Sequence, residues 1–361
     1  MGRGRRRRSR RADRGPEPDV AESNPFEYSE RTPATTPDSA ASSSSTGACE
    51  PLTAVSGAAE VPNVVHQLWL GGGKFMFAKL LSVLSVRYAL QPDRHYIHYD
   101  REPNDSADWN CACRLAKCVK TPRPAIVFGT RLESAVDKTD RYASDRRRRC
   151  ANAQLEMMKI GALEAEGGIY LDLDAFAMAS LDGWRQCAAG RAVVGSTLVG
   201  QAVSDDGARR QLDTGVVLAS PHSEFVRRWR ESYRRYRPDS DFEFGLCNQT
   251  TSLASAGPSL VHAAADLGPL PRYASRAGYD RHIATLPLVH LSQFRHPWRL
   301  HDVMTARHLE RVWERVAPLV NRSGATDLTR TDPLVRRCLQ TVAGACWAKP
   351  GKRCGIYGAR Q

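Results

Sequence analysis

The sequence predicts an α/β fold with a mostly parallel central sheet, and two observations support that prediction. Short apolar runs typical of buried strands alternate along the chain with segments of helical periodicity. A D-x-D pair ends one of these runs, at the place where ligands bind in open α/β sheets. The strand-like runs are 63–70, 95–100, 125–128, 168–173, 192–199 and 215–219. The helical patterns lie near 75–90, 150–166 and 222–236, with an amphipathic pattern at 300–320.

The first predicted strand, 63–70, is followed by a glycine-rich turn at residues 71–73. Two of its residues carry ring nitrogens that could contact a ligand, His66 and Trp69. Taken alone, His66 fits a satisfied, half-buried histidine better than a catalyst, and Trp69 fits a core position equally well.

The helix predicted over 150–166 places Leu155 and Met158 at helical spacing and ends at Gly167, a residue typical of helix C-termini. Glu156 and Lys159 are three residues apart and therefore neighbours on one surface of this helix. On its spacing alone, this pair is a surface salt bridge worth a few tenths of a kcal/mol, about 0.2–0.5.

The run that follows, Gly168 to Asp174, alternates between apolar and polar residues. In a strand, Tyr170, Asp172 and Asp174 point to one face, and the intervening apolar residues point to the core. Two carboxylates on one face suit a divalent cation that also holds a diphosphate. An unpaired carboxylate at the end of a buried strand would be costly. The metal-site interpretation is therefore preferred to a solvated acidic pair.

This block resembles the family 32 glycosyltransferases, the sugar-binding region that contains a DXD motif, and their toxin relatives. The family pattern is approximately S-D-x-x-R, seven residues, then G-G-I-Y-L-D-x-D. Aligned on the two glycines, the family's Asp falls on Glu156 and its Arg on Lys159, so both charges are kept. The family's Ser falls on Leu155. The resemblance implies donor contacts from Glu156, Lys159, Tyr170 and Asp172. Lysine cannot make the bidentate contact of arginine, so these contacts would be rearranged.

The resemblance extends to other parts of residues 61–300. The segment 61–69 is similar to the family's opening I-P-x-x-x-H-x-x-W, which implies donor contacts from Val65 and His66. Asp213 or Thr214 stands where the family has an acceptor-side Asn. His290 matches the late His…Trp element near the metal, with His296 as the alternative.

Together, the motifs predict a metal-dependent hexosyltransferase, and the family resemblance implies a GT-A fold and retention at the anomeric carbon. Asp172 and Asp174 are the predicted catalytic residues, and they hold Mn²⁺ or Mg²⁺ with His290. The donor would be a UDP- or GDP-linked sugar, and the acceptor a hydroxyl of a glycan, glycolipid or protein. The alternative is a catalytically degenerate protein of the same fold that binds nucleic acid or an anionic surface, because Glu156 and Lys159 depart from the family pattern.

Composition divides the chain into three predicted parts: a disordered tail at 1–60, a GT-A domain at 61–300, and a helix with a cysteine-containing tail at 301–361. The first part is Arg-rich, then rich in Ser, Thr and Pro, and cannot bury a core. Its nine arginines balance its nine acidic residues, so the net charge of +13 belongs to 61–361. A basic domain favours anionic ligands such as nucleotide diphosphates. No motif predicts specific nucleic-acid binding.

The ten cysteines predict two or more disulfides and an oxidising compartment, because their spacing matches no paired C-x-x-C zinc site. The family resemblance implies the Golgi or secretory lumen. No signal peptide or membrane anchor is visible in the sequence, which leaves the cytoplasm as the alternative.

Overall fold

A computed structural model describes most of the region from 59 to 318, and the described residues belong to one unit, Thr46–Gln361. For 141–152, 197–198 and 210–211 it describes the backbone alone. The predicted strand 125–128, the tail 1–58 and the residues after 318 lie outside the described part, so the three-part division remains a prediction. The described residues are 59–104, 107–123, 141–198, 210–233, 259–268, 283–290, 309, 311–316 and 318.

Nine strands are present in the described part of the chain, and seven of them form one mixed sheet. The strands are β1 (Val64–Trp69), β2 (Arg94–Tyr99), β3 (Lys117–Lys120), β4 (Gly168–Leu171), β5 (Ala175–Ala177), β6 (Ala192–Leu198), β7 (Arg210–Ala219), β8 (Val261–Ala264) and β9 (Leu288–His290). The order in the large sheet is β3-β2-β1-β4-β7-β6-β8. Four of its pairs are parallel, and β7 runs antiparallel to both β4 and β6. The predicted α/β class with a mostly parallel sheet is confirmed.

Helices cover both faces of this sheet. They are α1 (Phe77–Ser85), α2 (Ala107–Leu115), α3 (Arg141–Glu166), α4 (Asp182–Cys187) and α5 (Glu224–Ser232), with a π-helical turn after α1 at Val86–Leu90 and a 3₁₀ turn at Ala265–Leu267. Residues 311–316 are also helical, within the predicted amphipathic segment. One core contains residues of α1 and α2, and another contains residues of α3 and α5.

Strand β4 is buried on both faces, as its sequence predicts. Ile169 and Leu171 pack on one face of the sheet, and Tyr170 packs on the other with α3 and α5. Gly167 ends α3 with a φ of 64°, and its N–H donates to the carbonyl of Leu163 at 2.9 Å. A Cβ on Gly168 would lie 2.3 Å from the carbonyl oxygen of Val64, so only glycine lets β4 lie this close to β1.

The structure corrects the predicted elements at three places. Strand β4 ends at Leu171, so the D-x-D lies in a turn rather than on the predicted strand 168–173. Strand β7 begins five residues before the predicted 215–219, at Arg210, and it is antiparallel. Helix α3 starts at Arg141 instead of 150. The sequence also did not predict several short elements, namely α2, α4, β3, β5, β8 and β9.

Disulfides are present, as the cysteine content predicts. Cys113 and Cys118 are joined and connect the end of α2 to β3. Cys111 and Cys187 are also disulfide-bonded, so the chain holds more than one disulfide. Within the described residues, no helix is both long and apolar enough to cross a membrane.

Candidate metal centre

The turn after β4 places two aspartates at the edge of the large sheet where its parallel strands β1, β2, β3 and β4 end. The N–H of Asp172 donates to the carbonyl of Gly215 on β7 at 2.8 Å, and the N–H of Ala175 donates back to the carbonyl of Asp172 at 2.9 Å. Leu173, between the two aspartates, is buried in the core that contains α1 and α2. The two backbone hydrogen bonds and the buried Leu173 fix the turn that carries both carboxylates.

Strand β9 brings His290 to the same point. Strands β5 and β9 form a two-stranded antiparallel sheet in which Ala175, the residue after Asp174, pairs with His290. The Nε2 atom of His290 lies 3.5 Å from Oδ1 of Asp174 and 3.8 Å from Oδ2 of Asp172. We call Asp172, Asp174 and His290 the metal cluster, because one ligand atom from each lies within 4.8 Å of the others.

The donor set and its spacing fit a divalent cation. Ligand atoms about 2.1 Å from one octahedral ion stand about 3–4 Å apart. The distances of 3.8 and 3.5 Å from Nε2 of His290 to the two aspartates fall in this range. His290 is fully buried, and neither of its ring nitrogens has a hydrogen-bond partner of good geometry among the described residues, because the carboxylate oxygens beside them lie 3.5 Å away. A buried imidazole nitrogen without such a partner is what a metal ligand looks like before the ion binds.

Asp213 and Gly215 complete the surroundings of His290. Oδ1 of Asp213 lies 3.5 Å from Nδ1 of His290 and accepts a hydrogen bond from the N–H of Gly215 at 2.8 Å. A carboxylate on the second ring nitrogen orients a ligating histidine. Gly215 was not identified from the sequence. A glycine inside a strand marks a close approach, and that was the available signal.

Charge in this site is strongly negative. Burial lowers the pKa of His290, but Asp213, Asp174 and Asp172 together outweigh burial and raise that pKa to about 9. The carboxylates that hold a proton on the metal-free imidazole are the groups that would attract a cation.

Lys159 is buried rather than exposed, contrary to the surface salt bridge that its spacing from Glu156 predicts. Its side chain is 2% exposed, and Nζ lies 2.9 Å from Oε1 of Glu156 and 3.4 Å from Oδ1 of Asp172. The same Nζ donates to the carbonyl of Thr214 at 3.1 Å and lies over the ring of Tyr170. An ammonium has three N–H groups, so these three oxygens account for all of them.

The two oxygens of Asp172 have different surroundings. Oδ1 accepts a hydrogen bond from the hydroxyl of Tyr170 at 2.7 Å and lies close to Lys159, while Oδ2 faces His290. Burial acts to lower the pKa of Lys159, but Asp172 and Glu156 raise it, so the ammonium stays charged. Burial raises the pKa of Glu156, which Lys159 offsets in part. Lys159 and Tyr170 therefore orient Asp172 so that its Oδ2 faces His290, the neighbouring member of the metal cluster.

The structure brings together eight predicted site residues and leaves two apart. Val65 is fully buried in the core beneath β4. His66 is buried on the other face, where Nε2 donates to the carbonyl of Gly167 at 3.1 Å and Nδ1 lies 3.0 Å from Nε2 of His98. Burial lowers the pKa of His66 to about 4. Donor contact by Val65 and His66 stays a prediction, and His296 lies outside the described residues. The eight are Asp172, Asp174, His290, Glu156, Lys159, Tyr170, Asp213 and Thr214.

Comparison with known proteins finds distant similarity to carbohydrate enzymes. No family model matches the chain. Glucan organizing enzyme 1 of Cryptococcus neoformans var. grubii is 24% identical over 200 residues, which are 52% of this chain and 48% of that protein. The chain therefore aligns with about half of that relative's length.

The similar solved structures are named as glycosyltransferases. They include the PaToxG glycosyltransferase (TM-score 0.35, 10% identity, 79% of this chain and 88% of that chain). GlyE of Streptococcus pneumoniae TIGR4 has a TM-score of 0.39, with 11% identity over 73% of this chain and 63% of that chain. The galactosyltransferase LgtC has a TM-score of 0.36, with 13% identity over 74% and 99%. At these TM-scores, function is argued from the site itself.

Proposed function

We propose that this chain is a metal-dependent glycosyltransferase with a GT-A fold that moves a hexose from a UDP- or GDP-linked sugar to a hydroxyl acceptor. The observation that carries the proposal is the metal cluster of Asp172, Asp174 and His290 at the carboxyl edge of the parallel strands. Ligands of open α/β sheets bind at this edge. The name of the similar fungal protein, glucan organizing enzyme 1, supports an activity directed at carbohydrate.

Asp172, Asp174 and His290 would hold Mn²⁺ or Mg²⁺ in this site. When bound, such an ion supplies Lewis-acid stabilisation of the leaving diphosphate, worth several kcal/mol, on the order of 3–5. Lys159 keeps Oδ1 of Asp172 occupied, so that Oδ2 is the oxygen directed at the cluster. Asp213 lies 3.5 Å from the opposite ring nitrogen of His290, where its carboxylate would orient the imidazole toward the ion.

The nucleotide would lie along the same edge, beside the turn after β1. There Gly71 has a φ of 96°, and its N–H donates to Oδ1 of Asp100 at 2.8 Å. Oδ2 of Asp100 accepts a hydrogen bond from Arg123 at 2.6 Å. Asp100 and Arg123 therefore fix the shape of this turn beside the ends of β1 and β2. Glu156 and Tyr170 keep their proposed place on the donor side, and Asp213 and Thr214 on the acceptor side.

We further propose that the transfer retains the anomeric configuration and that the acceptor is a glycan, a glycolipid or a protein hydroxyl. Glucan oligosaccharides are the first acceptors to test, because the similar fungal protein is named glucan organizing enzyme 1. Proton NMR of the product would report the configuration directly.

Calorimetric titration of UDP and GDP, with and without Mn²⁺, tests the proposal. We expect binding of one nucleotide that requires Mn²⁺, and release of that nucleoside diphosphate from its sugar conjugate. If no nucleotide or donor binds in a Mn²⁺-dependent way, the proposal is wrong. Binding of polyanions that weakens steeply with salt would then support the degenerate binding protein.

A further inference from the structure

A chain of buried hydrogen bonds runs from β2 through β1 and α1 to the residue after Asp174. Nε2 of His95 lies 3.0 Å from Oε1 of Gln67, whose Nε2 donates to Oγ of Ser82 at 2.9 Å. Oγ of Ser82 donates to the carbonyl of Ala175 at 2.6 Å. The side chains of His95, Gln67 and Ser82 are all buried. We call these three residues the α1 hydrogen-bond chain.

Each hydrogen bond of this chain has only one possible assignment of donor and acceptor. The carbonyl of Ala175 can only accept, so the hydroxyl of Ser82 donates to it and in turn accepts from the amide nitrogen of Gln67. The amide oxygen of Gln67 then faces His95, whose Nε2 carries the proton. Burial lowers the pKa of His95 to about 3, which keeps its ring neutral, and the contact with the amide oxygen of Gln67 selects this tautomer. The chain is therefore a defined arrangement and not a set of interchangeable contacts.

A second serine of α1 contacts the same strand. Oγ of Ser85 accepts a hydrogen bond from the N–H of Ala177 at 3.0 Å and donates to the carbonyl of Ser82 at 2.7 Å. In the described structure β5 pairs with β9 alone. Its other side is thus held by two hydroxyl groups of α1, which take the place of a neighbouring strand.

Strand β5 lies next to two of the three ligands of the metal cluster. Ala175 directly follows Asp174 in sequence and pairs with His290 across the β5–β9 ladder. A displacement of β5 would therefore move the Asp174 carboxylate and the His290 imidazole together, relative to Asp172. Metal affinity depends on ligand placement to a few tenths of an ångström, about 0.2–0.5 Å.

We propose that Gln67, Ser82 and Ser85 are positioning residues of the metal cluster: they hold β5 against α1 and so set the placement of Asp174 and His290 for the cation. The inference rests on the proposed function and deepens it, because it assigns the site a set of supporting residues at sequence distances where no motif would show them. Polar partners behind the ligands of a metal site typically change its affinity by about 10–100-fold.

The test compares Ser82→Ala with two controls by titration with Mn²⁺ alone, with free Mn²⁺ followed by electron paramagnetic resonance. We expect Ser82→Ala to raise the Kd for Mn²⁺ by about tenfold or more. Ser82→Thr keeps the hydroxyl and should stay within about threefold of wild type. Val226→Ala removes buried methyl groups from α5, whose core contains Tyr170 but no residue of α1 or β5. It should lower the melting temperature without changing the Mn²⁺ affinity.

A second readout does not require the metal. Hydrogen exchange of metal-free protein over 172–178 and 287–290 should speed up in Ser82→Ala and Ser85→Ala, and not in Val226→Ala. If Mn²⁺ affinity and exchange in the serine variants match wild type, or if Val226→Ala weakens Mn²⁺ equally, the inference is overturned while the proposed function stands. If wild type binds no Mn²⁺, the proposed function fails, and the exchange result alone decides whether α1 holds β5.

Discussion

Gly215 lies so close to the imidazole of His290 that a Cβ built on it would be 2.2 Å from Cε1 of the ring. The same Cβ would be 2.8 Å from Oδ1 of Asp213. Because His290 is fully buried, its ring has no space into which it could retreat without leaving the two aspartates. The arrangement of the metal cluster therefore requires a residue without a side chain at position 215.

Gly215→Ala should therefore abolish Mn²⁺ binding or weaken it by at least about tenfold, because the histidine must move away from the cluster. Titration with Mn²⁺ measures this. Gly161→Ala is the matched control: no described heavy atom lies within 4 Å of its Cβ, and alanine in a helix should raise stability by about 0.5–1 kcal/mol. Unchanged Mn²⁺ affinity in Gly215→Ala would show that His290 is not a ligand.

Asp174→Asn should remove Mn²⁺-dependent donor binding and turnover while the protein stays folded, because an amide cannot replace the carboxylate at the cation. In wild type, Mn²⁺ at about 100 times its Kd should stabilise the fold by about 2.7 kcal/mol. Thermal unfolding with and without Mn²⁺ should show this increase for wild type and not for the variant. Wild-type turnover by Asp174→Asn would show that the D-x-D is not a metal site.

Lys159→Met separates two roles of this lysine. If Lys159 orients Asp172, the variant loses affinity for Mn²⁺ even without a donor, and the buried carboxylates left behind destabilise the fold by about 3–5 kcal/mol. If Lys159 contacts the donor phosphates instead, Mn²⁺ affinity is kept and donor affinity alone falls. Adding Glu156→Gln should restore part of the stability, since it removes one of the uncompensated charges. Urea unfolding and Mn²⁺ titration distinguish these outcomes.

Stability should fall as the pH is lowered from about 6.5 towards 4, because the buried histidines of β1 and β2 resist protonation. Burial lowers the pKa of His98, like that of His66, to about 4. Between the unfolded value, 6.5, and these folded values, the unfolded chain binds more protons, so each histidine removes up to about 1.4 kcal/mol per pH unit. Urea unfolding in the presence of a chelator measures the slope. His98→Asn should make it shallower, and an equal slope would contradict the assignment.

Sequence reasoning located the parts of the site that are close together along the chain. The interval from Glu156 to Asp174 contains the helix pair, the glycines and both aspartates. Its local pattern placed the two aspartates on one face, whereas only the family resemblance placed Glu156 and Lys159 beside them. The pattern placed the D-x-D on the strand, whereas Asp172 and Asp174 converge through a turn. The alternation of apolar and polar residues continues past Leu171, so it does not show that the strand ends there and a turn begins.

The remaining parts of the site come from contacts between distant segments. Gly215 meets His290 across β7 and β9, and Ser82 meets Ala175 across α1 and β5. Ser82 and Ala175 are not unusual in their local sequence, and β5 and β9 are only three residues long. Short strands with no alternating pattern are recognised only after their partners are known. The burial of Lys159 likewise depends on β7, which supplies the carbonyl of Thr214.

The two glycines between α3 and β4 have a consequence for how this sequence can vary. Both have positive φ and near-contact with Pro221 or Val64, so the helix and the strand meet at one fixed junction. One residue inserted between Lys159 and Gly167 would turn the lysine by about 100° around the helix axis, away from Asp172. A change in the length of this stretch therefore disturbs the site even when every side chain of the site is kept. The number of residues between Lys159 and Gly167 is thus constrained together with the identity of the two glycines.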